Sequence, residues 1–348
     1  MPTRLSRVEP RRLSGNFRPL RRALNTALAG TALFATAGLT AAPALAADAW
    51  PARPVTIEVG FSAGGTTDII ARLLADELHK GLGQPIIIDN KSGAAGNIAA
   101  EYVAKSNPDG YTLMMGSVGP LAVNHSLYSK LPFDNLKDLA PITLVAHVPN
   151  LLVVNPKSLP VKTFPEFLKE VKSHPGKYFY ASTGSGTSGH LSGVMLNMMA
   201  GTDLTHVPYK GAVALNDVLA GDSVQCMFAT MPSVVSIVRA GKLRGLAVTS
   251  LHRSEGMPEI PTIAEFGYPE FDASSWFGLV GPAGMPKSAV LAVQQQVARA
   301  LKIPAIRAKF VEQGADPVGD TPEEFGAYMR KETEKWAKVV KASGAKAD

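Results

Sequence analysis

Cysteine is almost absent from this chain, because Cys226 is the only one in 348 residues. A single thiol cannot form an intramolecular disulfide, so stability must come from core packing. Cys226 lies inside the apolar stretch 224–228 and is interpreted as a small core residue. The seven histidines form no pair at metal-ligand spacing, and no P-loop motif for phosphate binding occurs. The sequence therefore predicts no metal site and no cofactor.

Net charge is also missing once the N-terminal segment is set aside. The whole chain carries +6, but residues 1–46 contain seven arginines and one acidic residue, so 28 of the 35 basic and 28 of the 29 acidic residues remain. A neutral remainder gives no support to binding of nucleic acid or of a membrane surface.

A long, leucine-rich apolar run is missing from the N-terminus as well. The apolar segment from Ala23 to about Leu39 contains Gly30 and Gly38, follows the arginines, and precedes the Ala44-Leu-Ala46 cleavage pattern. This pattern is typical of a secretory signal peptide and not of a membrane anchor. The sequence thus predicts a cleaved leader over residues 1–46 and a periplasmic protein.

The remaining 302 residues follow an α/β pattern. Short β-branched runs such as Val55–Val59 alternate with helical ones such as Asp68–Lys80, which predicts βαβ units and mostly parallel or mixed sheets. Two apolar extended segments, Val148–Pro156 and Ser275–Pro282, separate two such series and are interpreted as hinge strands. We expect a first lobe over 47–149, a second over 150–270, and a return over 271–348 whose helices pack on the first lobe.

Glycine-rich loops between strands and helices recur in both series. They occur at 60–68, 89–97, 116–119 and 182–190. Such a loop directs backbone N–H groups and the positive end of a helix dipole at one small anion, and in open α/β sheets these loops can face one crevice. No arginine lies in the loops near 60–68, 116–119 and 183–190, which favours a small carboxylate over a multiply charged phosphate.

Two of these loops match enzyme motifs. Gly60–Gly64 fits Gly-x-Ser-x-Gly, but Ser62 would end the first strand, where no earlier loop could supply half of an oxyanion hole. Gly184–Gly189 fits the dinucleotide motif, but the following strand lacks the acidic residue that this motif requires. Two side chains near the loops remain ambiguous: His190 could donate to a ligand or cap its own loop, and Asp68 could contact a ligand or complement the dipole of its helix.

Taken together, five segments resemble the Bug-type periplasmic solute-binding proteins of tripartite tricarboxylate transporters. The segments are Pro54–Asp68, Asp89–Ile98, Asn107–Leu113, His206–Gly211 and Gly241–Thr249. The resemblance implies a two-lobed Venus-flytrap fold that holds a carboxylated metabolite between its lobes. Carried over by motif, the expected ligand-binding residues are Ser62, Ala63, Gly64, Gly65, Thr66, Asp68, Ser185, Gly186, Thr187 and His190, with Ser117, Lys210 and Gly211 as further neighbours.

The chain departs from that family at two places. Asn90-Lys-Ser-Gly93 stands where Asn-Arg-Pro-Gly is usual, and Thr230 stands where an Asp is common. The second change disfavours an amino-acid ligand, because its ammonium group would lack a carboxylate partner.

The resemblance implies a monomeric binding protein without catalysis that delivers a small mono- or dicarboxylate to membrane transporter subunits. An exported serine hydrolase centred on Ser62 and a ligand-sensing subunit of a membrane receptor are the alternatives. Turnover of esters would identify the hydrolase, and sensor genes next to the gene for this chain would identify the ligand-sensing subunit.

Overall fold

The computed structural model describes residues 50–347, so the leader predicted for residues 1–46 lies outside the described residues. The strands are β1 (Val55–Val59), β2 (Ile86–Asn90), β3 (Thr112–Ser117), β4 (Leu139–Val148), β5 (Asn150–Val154), β6 (Phe179–Ser182), β7 (Thr205–Pro208), β8 (Cys226–Thr230), β9 (Arg244–Val248), β10 (Ser275–Pro282) and β11 (Asp316–Pro317). The helices are α1 (Thr66–Leu82), α2 (Asn97–Ala104), α3 (Asn124–Leu127), α4 (Phe164–Ser173), α5 (Ser188–Ala200), α6 (Ala214–Ala220), α7 (Met231–Arg239), α8 (Lys287–Lys302), α9 (Pro304–Glu312) and α10 (Pro322–Ser343).

These strands form two mixed sheets, one in each lobe. The first has the order β11-β4-β10-β3-β1-β2, with β1 parallel to β2 and β3, and β10 antiparallel to β3 and β4. The second has the order β7-β6-β8-β5-β9, with β6 parallel to β7 and β8, and β5 antiparallel to β8 and β9. The predicted α/β class with two helix-flanked sheets is confirmed.

Helix α1 illustrates why the sequence folds this way. Its residues Ile70, Leu74 and Leu78 recur every four positions and are buried against the first sheet. This spacing places them on one helix face, and full burial of such a side chain contributes about 1.5–3 kcal/mol. Packing thus fixes the helix axis, and its N-terminus at Thr66 lies at the carboxyl end of β1.

The chain crosses between the sheets twice. The first crossing is at Pro149, between β4 and β5, and the return occupies residues 249–274. Buried Asn150 ties the two crossings together, because its backbone N–H donates to Thr249 Oγ1 (2.9 Å) and its Nδ2 donates to the carbonyl of Ala273 (2.9 Å). The segment Ser275–Pro282, expected to be a hinge strand, is instead the buried strand β10 inside the first sheet. Its continuous apolar run is typical of a core strand with both faces covered.

The last three helices close the first lobe on both faces. α8 and α9 pack against α1, while α10 packs on β4 and α3. The indoles of Trp276 and Trp336 both donate to Oε2 of buried Glu332, at 3.0 Å each, which fixes α10 to β10. Burial raises the pKa of the Cys226 thiol to about 12, as expected for a core residue and not for a nucleophile.

Candidate ligand-binding site

Two long helices, one from each lobe, begin at the cleft between the lobes. Helix α1 is preceded by Gly65 and α5 by Thr187, and neither helix has a side-chain cap at its N-terminus. The first-turn amides of an α-helix have no partner within the helix, and the helix dipole makes this end positive. Amides from both lobes are therefore available to an anion in the cleft.

A small cavity, called here the inner chamber, lies at these two helix ends. Its volume is about 60 Å³. It is lined by Phe61, Ser62, Gly65, Thr66, Thr67, Ser117, Val118, Thr183, Thr187, Ser188, Gly211, Ala212, Leu215, Thr230, Ser233, Ser275 and Phe277. Ten of these seventeen residues carry a hydroxyl group and none is ionisable. An anion here would be bound by hydroxyl groups and amides without a salt bridge.

Direct contacts hold the lobes together around the inner chamber. Thr66 Oγ1 of the first lobe lies 2.6 Å from Thr230 Oγ1 of the second, and both residues line the chamber. On another side, Gly186 packs on Asn124, so closely that a Cβ at position 186 would lie 2.2 Å from Asn124 Oδ1. Gly186 also has φ +88°, a conformation that favours glycine. The structure is therefore a closed form, and its closure depends on small residues at the contact.

Asp68 stabilises the loop between β1 and α1 through hydrogen bonds. Its carboxylate accepts hydrogen bonds from the N–H of Gly64 (2.9 Å), from Arg72 Nε (2.9 Å) and from Asn90 Nδ2 (3.1 Å). Burial alone would raise the pKa of Asp68, but these hydrogen bonds outweigh it and hold the pKa below its usual range. With its oxygens occupied and its side chain absent from the chamber lining, Asp68 is placed to position the loop.

His190 supports the second loop in the same way. Its Nδ1 lies 3.2 Å from the N–H of Gly186, which donates to it, and its ring stacks on His206 with centroids 4.1 Å apart. His206 Nε2 in turn lies 2.7 Å from Ser182 Oγ. Burial lowers the pKa of His190 to about 4, and burial together with the neighbouring His190 lowers the pKa of His206 to about 3. Both rings are neutral near pH 7 and lie behind the loop.

A second, larger cavity adjoins the inner chamber and is called here the vestibule. Its volume is about 570 Å³. It is lined by Gly60, Phe61, Ser62, Ser92, Gly93, Ala94, Ala95, Tyr128, Thr183, Gly184, Ser185, Pro208, Tyr209, Lys210, Gly211 and Ala347. Phe61, Ser62, Thr183 and Gly211 belong to both linings. The vestibule contains a charged side chain, Lys210, which the inner chamber does not.

The expected ligand-binding residues fall into three groups. Ser62, Gly65, Thr66, Ser117, Thr187 and Gly211 line the inner chamber; Ser185 and Lys210 line the vestibule, as do Ser62 and Gly211; Ala63, Gly64, Asp68, Gly186 and His190 line neither cavity. A contact between any of these residues and a ligand stays a prediction. Three residues outside the expected set also line the inner chamber: Thr183, which lies in the glycine-rich loop 182–190, and Ser275 and Phe277, which share one face of β10.

The surroundings of Ser62 do not resemble a hydrolase site. A serine nucleophile needs a base within hydrogen-bond reach, and neither cavity lining that contains Ser62 includes a histidine, an aspartate or a glutamate. Ser182 does lie within hydrogen-bond distance of His206 Nε2, at 2.7 Å, but it is fully buried. Within residues 50–347 there is also no cluster of three or more histidine, cysteine or acidic side chains suited to a metal ion.

A family model described as the tripartite tricarboxylate transporter family receptor matches residues 70–345. The chain belongs to this family. Protein BugT of Bordetella pertussis is 40% identical to this receptor over 313 residues, which cover 90% of this chain and 95% of that protein. A protein from the tcbD-tcbE intergenic region of a Pseudomonas species is 36% identical over 315 residues, covering 90% and 92% respectively. The Bug-type resemblance is confirmed.

Solved structures agree with this assignment. A protein of R. palustris solved with adipate has a TM-score of 0.82 and 39% identity to this receptor, covering 85% of this chain and 98% of that one. The periplasmic binding protein BugD has a TM-score of 0.80 and 33% identity, covering 85% and 99%. MatC from Rhodopseudomonas palustris with bound malate has a TM-score of 0.78 and 34% identity, covering 84% and 100%.

These comparisons identify the receptor as a solute-binding protein and not as an enzyme, and they indicate a periplasmic location. The predicted periplasmic-binding-protein fold is confirmed as well. None of the helices described between residues 50 and 347 has the length and apolar character needed to span a bilayer.

Proposed function

We propose that this receptor captures a small organic acid, a mono- or dicarboxylate, between its lobes and delivers it to the membrane subunits of a tripartite tricarboxylate-type transporter. The observation that carries the proposal is the inner chamber, where hydroxyl groups and two helix N-termini converge without an ionisable side chain. The ligands of two similar solved structures, adipate and malate, are carboxylates and support the same ligand class.

A neutral chamber suits capture followed by release. Several amides and hydroxyl groups can each donate a hydrogen bond to one carboxylate. The hydroxyl groups of Ser62, Thr67 and Ser117 are available for this, because they have no hydrogen-bond partner within residues 50–347. The chamber lining offers no carboxylate to an ammonium group, since Thr230 occupies the position expected to carry one. The ligand is therefore an acid without an amino group next to its bound carboxylate.

Delivery to a transporter requires that the protein reaches the periplasm as a processed, diffusible monomer. We infer that the leader is cleaved so that Ala47 or Asp48 becomes the N-terminal residue. N-terminal mass spectrometry of periplasmic material checks the cleavage site, and an intact Met1 would contradict it. A sensor and a transport receptor share this fold, so uptake of the identified acid by cells with and without the receptor separates the two roles.

Thermal unfolding of the purified protein with a library of carboxylates, amines and sugars tests the ligand class. An acid present at 100 times its dissociation constant adds about 2.7 kcal/mol of stability, which raises the melting temperature measurably. We expect stabilisation by a subset of the carboxylates. Stabilisation by sugars or amines with no response to any carboxylate would contradict the proposal.

A further inference from the structure

The inner chamber holds only part of an extended organic acid. The chamber volume of about 60 Å³ is about a tenth of the volume of about 570 Å³ of the adjoining vestibule. A carboxylate with its neighbouring carbon atoms fills that space. The tail of a longer acid must therefore extend out of the chamber while its head group stays inside.

The vestibule offers the space into which such an acid would extend. The two cavities meet at Phe61, Ser62, Thr183 and Gly211. Gly211 has no side chain to block the junction, and a Cβ at this position would lie 3.0 Å from Ser62 Oγ. The vestibule volume of about 570 Å³ falls within the range of about 300–1,000 Å³ that is usual for small-molecule sites.

The charge of the vestibule points to an anionic group at the far end of the ligand. Lys210 belongs to its lining, no aspartate or glutamate does, and no carboxylate within residues 50–347 pairs with Lys210. By contrast, Lys91 is neutralised by Glu58 at 3.1 Å and by Asp89. Lys210 is thus a cation in the cleft that has no partner from the described part of the protein.

The opposite wall of the vestibule carries strained backbone. Ala94 and Ala95 have φ of 45° and 51°, a left-handed conformation that costs free energy for residues with a Cβ. This turn brings Ala95 close to the second lobe, where a Cβ at Gly184 would lie 3.8 Å from Ala95 Cβ. Strain of this kind persists at ligand-binding segments when the surrounding structure maintains it. We therefore interpret the turn at Ala94 and Ala95 as a part of the vestibule that contacts the second lobe across the cleft.

We propose that the vestibule is a second subsite, in which Lys210 receives an anionic tail of a ligand whose head group occupies the inner chamber. This inference rests on the proposed function, because it needs a carboxylate in the chamber. It makes Lys210 a specificity-determining residue that distinguishes long dicarboxylates from monocarboxylates of equal length.

Calorimetric titration of matched acid pairs tests this inference. The probes are succinate and butanoate, adipate and hexanoate, and suberate and octanoate. We expect the two longer dicarboxylates to bind about fivefold more tightly than their monocarboxylate partners, the upper range for an exposed ion pair. Lys210→Met keeps the apolar stem and should remove this advantage. Lys242→Met makes the same charge change at an exposed turn of the second lobe and should retain it.

Each outcome bears on one of the two proposals. Binding of butanoate and succinate alone, or equal weakening of both members of a pair by Lys210→Met, would overturn the vestibule subsite and leave the proposed function standing. Failure of every acid to bind the wild-type protein would instead contradict the proposed function. A fall in the dicarboxylate advantage with rising ionic strength would further support an ion pair at Lys210.

Discussion

At the scale of single residues, Gly65 and Ser62 separate two ways in which the inner chamber could bind an anion. Gly65 has φ −76°, so its backbone does not require glycine, and the conformational argument applies to Gly64, with φ +78°. The reason for glycine at 65 is therefore space, because it lines a chamber of about 60 Å³. A valine side chain would occupy much of that volume and keep the carboxylate away from the amides of α1.

We accordingly expect Gly65→Val to weaken binding of the identified acid far more than Ser62→Ala. The serine change removes at most one hydroxyl contact, worth about 0.5–1.5 kcal/mol, or about 3 kcal/mol if the partner is charged. Calorimetry on the two variants measures the difference, and Gly65→Ala serves as the intermediate control. Normal folding of Gly65→Val with wild-type affinity would contradict binding through the backbone.

Part of the site could be predicted at this scale and part could not. Ser62, Gly65, Thr66 and Thr187 lie in glycine-rich loops, which the sequence marks by their composition. Thr183 lies in the glycine-rich loop 182–190 as well, whereas Ser275 begins strand β10 and reaches the chamber through tertiary folding, which no local pattern reports. The chemistry of Asp68 and His190 fits either a ligand contact or support of their own loops, and hydrogen bonds to Gly64 and Gly186 show the support.

At the scale of elements, the loop between β1 and α1 depends on Asp68. We expect Asp68→Asn to lower the free energy of unfolding by about 1–3 kcal/mol. The change removes the negative charge that pairs with Arg72, and it replaces one of the two carboxylate oxygens that accept hydrogen bonds. Ligand affinity should fall too, since the loop lines the chamber. Denaturant unfolding and calorimetry measure the two effects, with the exposed Asp76→Asn on the same helix as the matched control.

The sign of the pH dependence follows from the lowered pKa of Asp68. The unfolded chain takes up the proton first as pH falls, so the contribution of Asp68 is present above its unfolded pKa and is lost as pH falls through its folded pKa. The stability advantage of the wild-type protein over Asp68→Asn should therefore shrink as pH falls through this range, and an advantage that is the same at neutral and acid pH would contradict this role.

The stacked pair His190 and His206 makes the free energy of unfolding depend on pH between about 4 and 6.5. Both are neutral in the folded protein, with pKa values of about 4 and about 3, while an unfolded histidine has a pKa of about 6.5. The unfolded state therefore binds more protons below pH ~6.5, and stability should fall by up to about 1.4 kcal/mol per pH unit for each histidine down to pH ~4.

Replacing one ring tests this expectation. His206→Phe keeps a ring between Tyr180 and His190 but cannot be protonated. The slope of unfolding free energy against pH between about 4.5 and 6 should be smaller by up to about 1.4 kcal/mol per pH unit, while His190 and His147, whose pKa values are also lowered by burial, keep their contributions. Replacement of the exposed His252 by Phe is the control and should leave the slope unchanged. An unaltered slope in His206→Phe would show that these rings are not the groups that titrate.

The element boundaries could be predicted well where periodicity and glycine punctuation agree, as for α5 at Ser188–Ala200. The first part of β4 could not be anticipated, because Pro141 lies in a strand that pairs on both sides farther along. The structure accommodates it in two ways: the register with β10 shifts near Val280, and β11 pairs with β4 only at residues 146 and 147. A proline without an N–H is tolerated where the neighbouring edge is free.

At the scale of the whole molecule, the two-lobed architecture could be predicted but the second crossing could not. The apolar run of β10 has the composition of a hinge strand and of a core strand alike, and only the pairing with β3 and β4 decides between them. The two crossings meet at Asn150, Thr249 and Ala273, which buried hydrogen bonds connect, and we therefore expect the hinge there.

The hydrogen bond between Thr66 and Thr230 exists only while the lobes touch, so it stabilises the closed form alone. Its contribution is about 0.5–1.5 kcal/mol, and Thr230→Val should shift the lobes toward the open form by that amount. Because ligand is held in the closed form, affinity should fall about two- to twelvefold. Thr230→Ser keeps the hydroxyl and is the matched control.

X-ray scattering and calorimetry together distinguish this effect from a lost ligand contact. The ligand-free radius of gyration should be larger for Thr230→Val than for the wild-type protein, and the two should agree at saturation. Thr66→Val should reproduce both effects, and the double variant should cost less than the sum of the single changes, because either one removes the same bond. Strict additivity with an unchanged ligand-free radius would mean that each threonine acts on the ligand separately and that closure depends on the ligand and the remaining contacts between the lobes.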